Sequence, residues 1–172
     1  MNQIDWRFCH KCQGLFFAGN PSQGVCPADR QPHDASQSGK YMLGFGESTP
    51  GHLPEGEQLF GSSARQGDWR FCHKCQGLFF AGNPSQGVCP AVSIIYNHRP
   101  HDASQSGHYA IWSDEGYNNG QKGWRFCHKC QGLFFADNQS QGVCPADHEP
   151  HDASQSGEYQ LEFQSEPSPP LR

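Results

Sequence analysis

The chain has 172 residues, of which 34% are hydrophobic, and a formal net charge of −5. Nucleic acid and anionic membrane surfaces are therefore unfavourable partners, because attraction to phosphate comes from clustered Lys and Arg. No apolar run approaches the roughly 20 residues needed to span a bilayer, so membrane insertion is not expected. The polar start of the chain has no signal-peptide pattern. This leaves three locations open: the cytoplasm, release without a signal, or a mature secreted form.

One segment, Trp-Arg-Phe-Cys-His-Lys-Cys-Gln-Gly-Leu-Phe-Phe-Ala, occurs three times along the chain, at residues 6–18, 69–81 and 124–136. Each copy is followed by Ser-Gln-Gly-Val-Cys-Pro-Ala and then by Pro-His-Asp-Ala-Ser-Gln-Ser-Gly. Internal repetition of this kind predicts an array of small units. The predicted boundaries are repeat one at 5–45, a linker at 46–67, repeat two at 68–112, a linker at 113–122, repeat three at 123–163 and a disordered tail at 164–172.

Each repeat contains three short apolar runs separated by turn-forming residues. In repeat one the runs lie at residues 6–8, 15–17 and 41–43, and no segment has a reliable helical period. We therefore predict a small, mainly β fold of three tandem zinc-stapled β-ribbons. The sequence leaves open whether these pack about a pseudo-threefold axis or hang as separate beads. Leu59 and Phe60 form an apolar pair in the first linker that would order this linker if it docked onto a repeat.

The cysteines favour a metal over disulfides. Each repeat holds three of them, and an odd number leaves one thiol unpaired within the repeat. A Cys-x-x-Cys pair, a third Cys and a later His supply the four donors of a tetrahedral zinc site. The predicted ligands of three structural zinc ions are Cys9, Cys12, Cys26 and His33; Cys72, Cys75, Cys89 and His101; and Cys127, Cys130, Cys144 and His151.

Several details follow from this assignment. Gly14 is expected to permit the tight turn of a zinc knuckle. His10 lies inside the cysteine pair and is expected to point away from the metal, and His98 and His148 are interpreted as surface residues. Four protein ligands fill the tetrahedral shell, which argues against metal catalysis and against an enzyme. Cys12→Ala is expected to unfold repeat one and to leave the other two repeats able to bind.

A set of polar and aromatic residues recurs beyond the ligands. An aromatic face beside short hydrogen-bonding side chains suits a sugar, and three copies would provide avidity. Alternatively, the Asp bonds the free nitrogen of the ligand His, the Trp packs over the knuckle, and the Arg is a solvated strand residue. The candidate ligand-binding residues are Trp6, Arg7, Asp34, Ser36 and Gln37; Trp69, Arg70, Asp102, Ser104 and Gln105; and Trp124, Arg125, Asp152, Ser154 and Gln155.

The pattern Trp-x-x-Cys-x-Lys-Cys-x-Gly-Leu-Phe-Phe, with Gly-Val-Cys-Pro-Ala and His-Asp-Ala-Ser-x-Ser-Gly, resembles a short repeat of bacterial and fungal proteins. Many of those are secreted and some carry hydrolase domains. The resemblance covers all three repeats and implies a lectin-like accessory module. The opening Trp-x-x-Cys-x-x-Cys also resembles ubiquitin-binding and RNA-binding zinc ribbons, but these end in a second Cys-x-x-Cys that this chain lacks.

Three functions are thus open. The first is a multivalent carbohydrate-binding protein whose ligands are glycans, with Arg addressing any acidic or sulfated group. The second is a protein-interaction module that uses the Trp and Phe faces. The third, single-stranded RNA binding through the same aromatic rings, is disfavoured by the acidic charge balance. The oligomeric state is not predicted.

Overall fold

The computed structural model describes residues 2–46, 65–91, 100–115 and 119–164. The predicted apolar pair Leu59–Phe60, His98 and the tail beyond Gln164 lie outside this part of the chain. The described residues form nine short strands in one nearly closed antiparallel sheet, as the all-β prediction required. Within the same residues there is no helix with the length and apolar surface that a bilayer crossing needs. The strands are β1 Asn2–Phe8, β2 Leu15–Phe17, β3 Tyr41–Gly46, β4 Arg65–Phe71, β5 Leu78–Phe80, β6 His108–Ser113, β7 Gln121–Phe126, β8 Leu133–Phe135 and β9 Tyr159–Phe163.

The three repeats have the same strand pairing. In repeat one, β1 pairs with β2 and with β3, and both pairings are antiparallel. A register shift interrupts the second pairing between Gln3 and Trp6. Asp5 lies in this irregular stretch with a φ of 75°, and Asp68 and Gly123 take its place in the other repeats at 68° and 98°. Asp and Gly tolerate this left-handed conformation better than most residues, so the sequence suits a bulge at this position.

The third strands join the repeats to one another. β3 pairs with β6, β6 pairs with β9, and β3 also pairs with β9, so that each third strand contacts the other two. The second strands also meet, through isolated bridges from Phe16 to Gly77, from Phe79 to Gly132 and from Gly14 to Phe134. Both sets of contacts run from repeat to repeat and close on themselves. The repeats are therefore arranged about a pseudo-threefold axis and are not separate beads.

A single aromatic core lies between these two sets of contacts. Trp6 of repeat one packs edge-on against Tyr109 of repeat two, with ring centroids 5.3 Å apart. Trp69 packs in the same way on Tyr159 of repeat three, and Trp124 packs on Tyr41 of repeat one. Aromatic pairs in this geometry are each worth about 1 kcal/mol beyond the area they bury. The repeats therefore share one core, which a unit of about 40 residues cannot easily build alone.

Ordered structure extends into the segments predicted as linkers and to the first residue of the predicted tail. β4 begins at Arg65 and β7 at Gln121, both inside predicted linkers. Gln164, the predicted start of the tail, is held by its backbone N–H, which donates to the carbonyl of Lys40, and by its side-chain oxygen, which accepts from the backbone N–H of Asp5. Arg65 pairs with Trp112 and Gln121 pairs with Leu161, each in the third strand of its own repeat. These strand starts therefore depend on partners far along the chain, which local sequence does not reveal.

The buried tyrosines of the core predict that the protein unfolds at alkaline pH when they ionise. Burial raises the pKa of Tyr41 and Tyr159, and it raises the pKa of Tyr109 to about 12. The neutral phenols therefore stabilise the fold fully below the ordinary tyrosine pKa of about 10, and this contribution is lost as pH rises through the raised pKa of each phenol, which for Tyr109 is about 12. We expect phenolate absorbance from these residues to rise together with loss of the circular dichroism signal. Ionisation of all five tyrosines near pH 10 with an unchanged dichroism spectrum would contradict the buried placement.

Candidate metal centres and the loops around them

The twelve predicted ligands form three groups of three cysteines and one histidine, and within each group the donor atoms lie within 4.8 Å of one another. In repeat one, Cys9 Sγ lies 3.9 Å from Cys26 Sγ, and Cys12 Sγ lies 3.6 Å from His33 Nδ1. The edges of a tetrahedral zinc site with ordinary bond lengths are about 3.8 Å between sulfurs and about 3.6 Å between sulfur and nitrogen. A disulfide would need its sulfurs at about 2.05 Å. The groups therefore fit three structural zinc ions.

The thiols of one group strongly affect each other. Hydrogen bonds from the Cys12 and Cys26 thiols hold the pKa of Cys9 well below its ordinary value. Hydrogen bonding to Cys26 and Cys9, together with burial, raises the pKa of Cys12 well above its ordinary value. Three thiolates this close repel each other, so a cation among them is needed for all three to ionise. The electrostatics of the group thus favour a metal.

Backbone N–H groups also point at the sulfurs. The N–H of Asp34 donates to Cys9 Sγ at 3.4 Å, and the equivalent residues in the other repeats do the same. The N–H groups of Ala91 and Ala146 donate to Cys89 and Cys144, each at 3.4 Å. Such bonds stabilise thiolates and orient ligands, as outer contacts of metal sites generally do.

The tight turn after the second cysteine depends on a residue other than the predicted glycine. Gln13 takes the left-handed conformation with a φ of 66°, and Gln76 and Gln131 match it. Its backbone N–H donates to the Cys9 carbonyl at 2.8 Å, and its side-chain amide donates to the His10 carbonyl at 2.8 Å. Gln13 therefore forms the turn with its backbone conformation and stabilises it with a side-chain hydrogen bond. The role expected for Gly14 is thus carried by Gln13.

The second nitrogen of each ligand histidine reaches into the next repeat. His33 Nε2 lies 3.2 Å from the carbonyl of Cys75, His101 Nε2 lies 3.1 Å from that of Cys130, and His151 Nε2 lies 3.1 Å from that of Cys12. Since Nδ1 faces the sulfurs, Nε2 carries the proton and donates. The sequence interpretation in which the following Asp bonds this nitrogen is therefore wrong. A carbonyl of another repeat accepts the bond instead.

Asp34 instead shapes its own loop. Its carboxylate accepts a hydrogen bond from the Ser36 N–H at 2.8 Å and lies 3.1 Å from His10 Nε2. These contacts, led by the bond from the Ser36 backbone, lower the pKa of Asp34 to about 2, so that the group is ionised at neutral pH. Asp102 and Asp152 make the same contacts. His10 thus points away from the metal, and His148 is exposed, both as predicted.

Ser36 and Gln37 lie on the exposed side of this loop, together with their counterparts in repeats two and three. Among the described residues, no hydrogen bond from the Gln37 side chain holds the fold. The neighbouring Ser38 has a structural role, because its hydroxyl accepts the backbone N–H of Phe8 at 2.7 Å. The Ser36 side chain also hydrogen-bonds Asp34, so Gln37 is the predicted polar residue of this loop whose side chain has no structural partner among the described residues.

The structure removes the tryptophans from the candidate binding set. Trp6, Trp69 and Trp124 are 0% exposed, so no ring face is open to a sugar. They also do not pack over the knuckles, which was the other expectation. Instead, Phe16 covers the metal site by stacking on His33, with ring centroids 4.7 Å apart. Because the register places Trp6 directly after the bulge, its indole points into the shared core.

The predicted arginines are partly committed to structure. The Arg7 guanidinium donates to the carbonyl of Trp6 at 2.9 Å and to the side chain of Gln164 at 3.2 Å, and Arg70 and Arg125 bond the equivalent tryptophan carbonyls. Lys11, which the sequence also offered as a cation for an acidic group of a ligand, donates to the Pro32 carbonyl at 3.0 Å and so ties the knuckle to the loop that carries His33. These cations support the backbone around the metal centres.

Sequence interpretation missed a group of residues that connect the repeats. Asn20 donates to the side chain of Gln76 at 2.8 Å, and Asn83 and Asn138 make the equivalent bonds to Gln131 and Gln13. The exact recurrence of Asn, Gln and Gly24 in all three repeats was the available signal. It could be assigned only to turn formation, because the partner lies in another repeat.

Comparisons of the chain with protein-family models, with curated proteins and with solved structures gave no match.

Proposed function

We propose that the protein is a multivalent, lectin-like carbohydrate-binding protein, with three equivalent sites on the loops that follow the metal-ligating histidines. The observation that carries this proposal is the threefold display of identical, exposed Ser and Gln side chains beside a preorganised carboxylate. Ser36 and Gln37 of repeat one recur as Ser104 and Gln105 and as Ser154 and Gln155, all exposed. Each pair is presented by a loop anchored to a metal centre.

The repeats differ at other exposed positions nearby. Gln31 of repeat one is replaced by Glu149 in repeat three, and both are exposed. Lys40, His108 and Glu158 occupy one equivalent position with three different chemistries. The Ser-Gln pair lies in a segment that is identical in all three repeats, whereas these positions just outside the segment vary, which favours a role in binding over a role in solubility.

The chemistry of the loop suits hydroxyl groups. The Asp34 carboxylate is held by Ser36 and His10 and is still partly exposed, so it offers a preorganised acceptor. The Gln37 amide supplies both donors and an acceptor, and Ser36 supplies a hydroxyl. Hydrogen-bonding groups held in place reduce the entropy lost on binding. With the tryptophans buried, recognition at one site depends on hydrogen bonds and is weak. Three sites on one chain would then provide the avidity.

The other candidate functions have less support because, of the recurring aromatic rings, only Phe17, Phe80 and Phe135 are partly exposed. Protein interaction through Trp and Phe faces, and single-stranded RNA binding by base stacking, both need open aromatic rings. Trp6, Trp69, Trp124 and the adjacent Phe16 and its counterparts are 0% exposed. We also expect no catalysis at the metal centres, because four protein donors fill a tetrahedral shell.

A glycan array with the folded, zinc-loaded chain tests this function. We expect binding that falls at least about tenfold in the triple variant Gln37→Ala, Gln105→Ala and Gln155→Ala, because each site loses hydrogen bonds and avidity multiplies the loss. The control Gln31→Ala with Glu149→Ala changes exposed side chains just before the ligand histidine of repeats one and three and should bind as the parent does. Absence of any glycan ligand across a broad array would remove the proposal.

A further inference from the structure

Each repeat holds the cysteine turn of the next repeat at several points. In repeat one the holding segment is the loop of residues 17–33, and in repeat two the held segment is the turn Cys75–Gln76. The backbone N–H of Phe17 donates to the Gln76 carbonyl at 2.8 Å. The Asn20 side chain donates to the Gln76 side-chain oxygen, also at 2.8 Å. Both the backbone and the side chain of Gln76 are therefore positioned by the preceding repeat.

The neighbouring residue of the turn, Cys75, is contacted by the same loop. His33 Nε2 donates to its carbonyl at 3.2 Å. Gly24 lies so close that a Cβ on it would stand 2.0 Å from that carbonyl oxygen. The carbonyl is thus enclosed by two residues of the loop, one of which is a metal ligand.

These contacts recur around the ring. The loop of repeat two holds Cys130–Gln131, and the loop of repeat three holds Cys12–Gln13. All of them run in one direction, from repeat one to two to three and back to one. Because the contacts close into a ring, every cysteine turn is held by the preceding repeat as well as by its own.

The held turn and the holding loop both carry metal ligands. Cys26 and His33, in the loop, belong to the first centre, and Cys75, in the turn, belongs to the second. Ordering of the loop by a metal at the first centre therefore also positions a donor of the second. We propose that the three centres load zinc as one cooperative unit, each occupied centre preorganising the centre of the following repeat.

The physical basis is shared ordering entropy. Fixing the backbone of each residue costs conformational entropy, and each loop contains many residues. The first ion bound must order its own loop, and the contacts on the next turn then lower the ordering cost for the second ion. Coupling of this kind is reciprocal, so each ion also raises the affinity of the others.

Native mass spectrometry of the full chain tests the proposal. The protein is stripped of metal under reducing conditions and then given one zinc per chain. We expect the zinc-free and three-zinc forms to dominate. Independent identical sites would instead make the one-zinc form the most abundant, and that result would overturn the proposal.

A variant that leaves all twelve ligands intact tests the route of the coupling. Asn20→Ala, Asn83→Ala and Asn138→Ala together remove one bond from each contact between loop and turn. We expect the one-zinc and two-zinc forms to increase roughly fivefold, as the loss of a hydrogen bond implies. The matched control is Gln23→Ala, Gln86→Ala and Gln141→Ala. These amides lie in the same loops but bond only within their own repeat.

The control should weaken zinc binding without populating partly loaded forms. Unchanged all-or-none loading in the Asn variant would show that the coupling does not pass through these turns, and this would overturn the proposal as well. Equal amounts of partly loaded forms in the Asn and Gln variants would do the same.

Discussion

Cys12→Ala is expected to unfold the whole chain and not only the repeat that carries it. The substitution opens the first metal centre, and structural zinc contributes on the order of 10 kcal/mol to such sites. This is comparable with the entire stability of an ordinary domain, about 5 to 15 kcal/mol. The rings of Trp6 and Tyr41 pack against repeats two and three, so their loss exposes the core of the other repeats. The sequence-based expectation of local unfolding assumed independent units, and the shared core contradicts that assumption.

Zinc content and tryptophan fluorescence measured on the same sample check this result. We expect zinc to fall well below two equivalents, with an emission maximum typical of exposed indoles. His10→Ala is the matched control, because His10 lies between the two cysteines but is not a ligand, and it should retain three equivalents. Two bound zinc ions with buried Trp69 and Trp124 in the Cys12 variant would show that the repeats fold independently.

Gly24→Ala is expected to have the second large effect, although it changes no metal ligand. Gly24 has a φ of 75°, which costs a residue with a side chain about 1 kcal/mol or more. The added Cβ would also stand 2.0 Å from the carbonyl oxygen of Cys75. That oxygen belongs to a backbone turn fixed by the second metal centre, so it cannot move aside without disturbing the ligands. We expect a loss of more than about 3 kcal/mol in the free energy of unfolding.

Urea unfolding of the zinc-loaded protein measures this loss, provided that zinc is held at a fixed free concentration. Gly77→Ala is the matched control. It adds a methyl group beside the same turn, but its Cβ would meet Cys75 Sγ at 3.4 Å and the Leu15 carbonyl oxygen at 3.8 Å, which are ordinary contact distances. A Gly24 variant as stable as the Gly77 variant would mean that the loop and turn are not in close contact.

Local sequence was sufficient to predict the features that depend on residues close together in the chain. The ligands Cys9, Cys12 and Cys26 recur at one spacing, and His33 follows at the end of a turn-rich loop, so the donor set could be predicted without knowing the fold. The three strands of each repeat could be predicted in the same way. Strands β4 and β7 begin at Arg65 and Gln121, inside segments predicted as linkers, because they pair with the third strand of the same repeat far along the chain.

Long-range packing decided whether the side chain of each recurring residue faces the core or the solvent. Trp6 precedes the cysteine pair in a short strand, and from the sequence its ring could stack on a sugar or fill a core. The bulge at Asp5 and the neighbouring Tyr109 place it inside. The hydrogen-bond partner of His33 Nε2 was likewise unpredictable. It is a backbone carbonyl, and every residue has one, so the sequence does not mark it.

The sequence by itself determined the composition of the three metal centres, since three cysteines at one spacing and a histidine after a turn-rich loop supply the four donors of a zinc site whatever the rest of the fold. Only the tertiary structure decided that the centres belong to one closed ring. The reason is physical: the bonds that close the ring join backbone groups and buried rings of different repeats, and these are brought together only when all three repeats are folded.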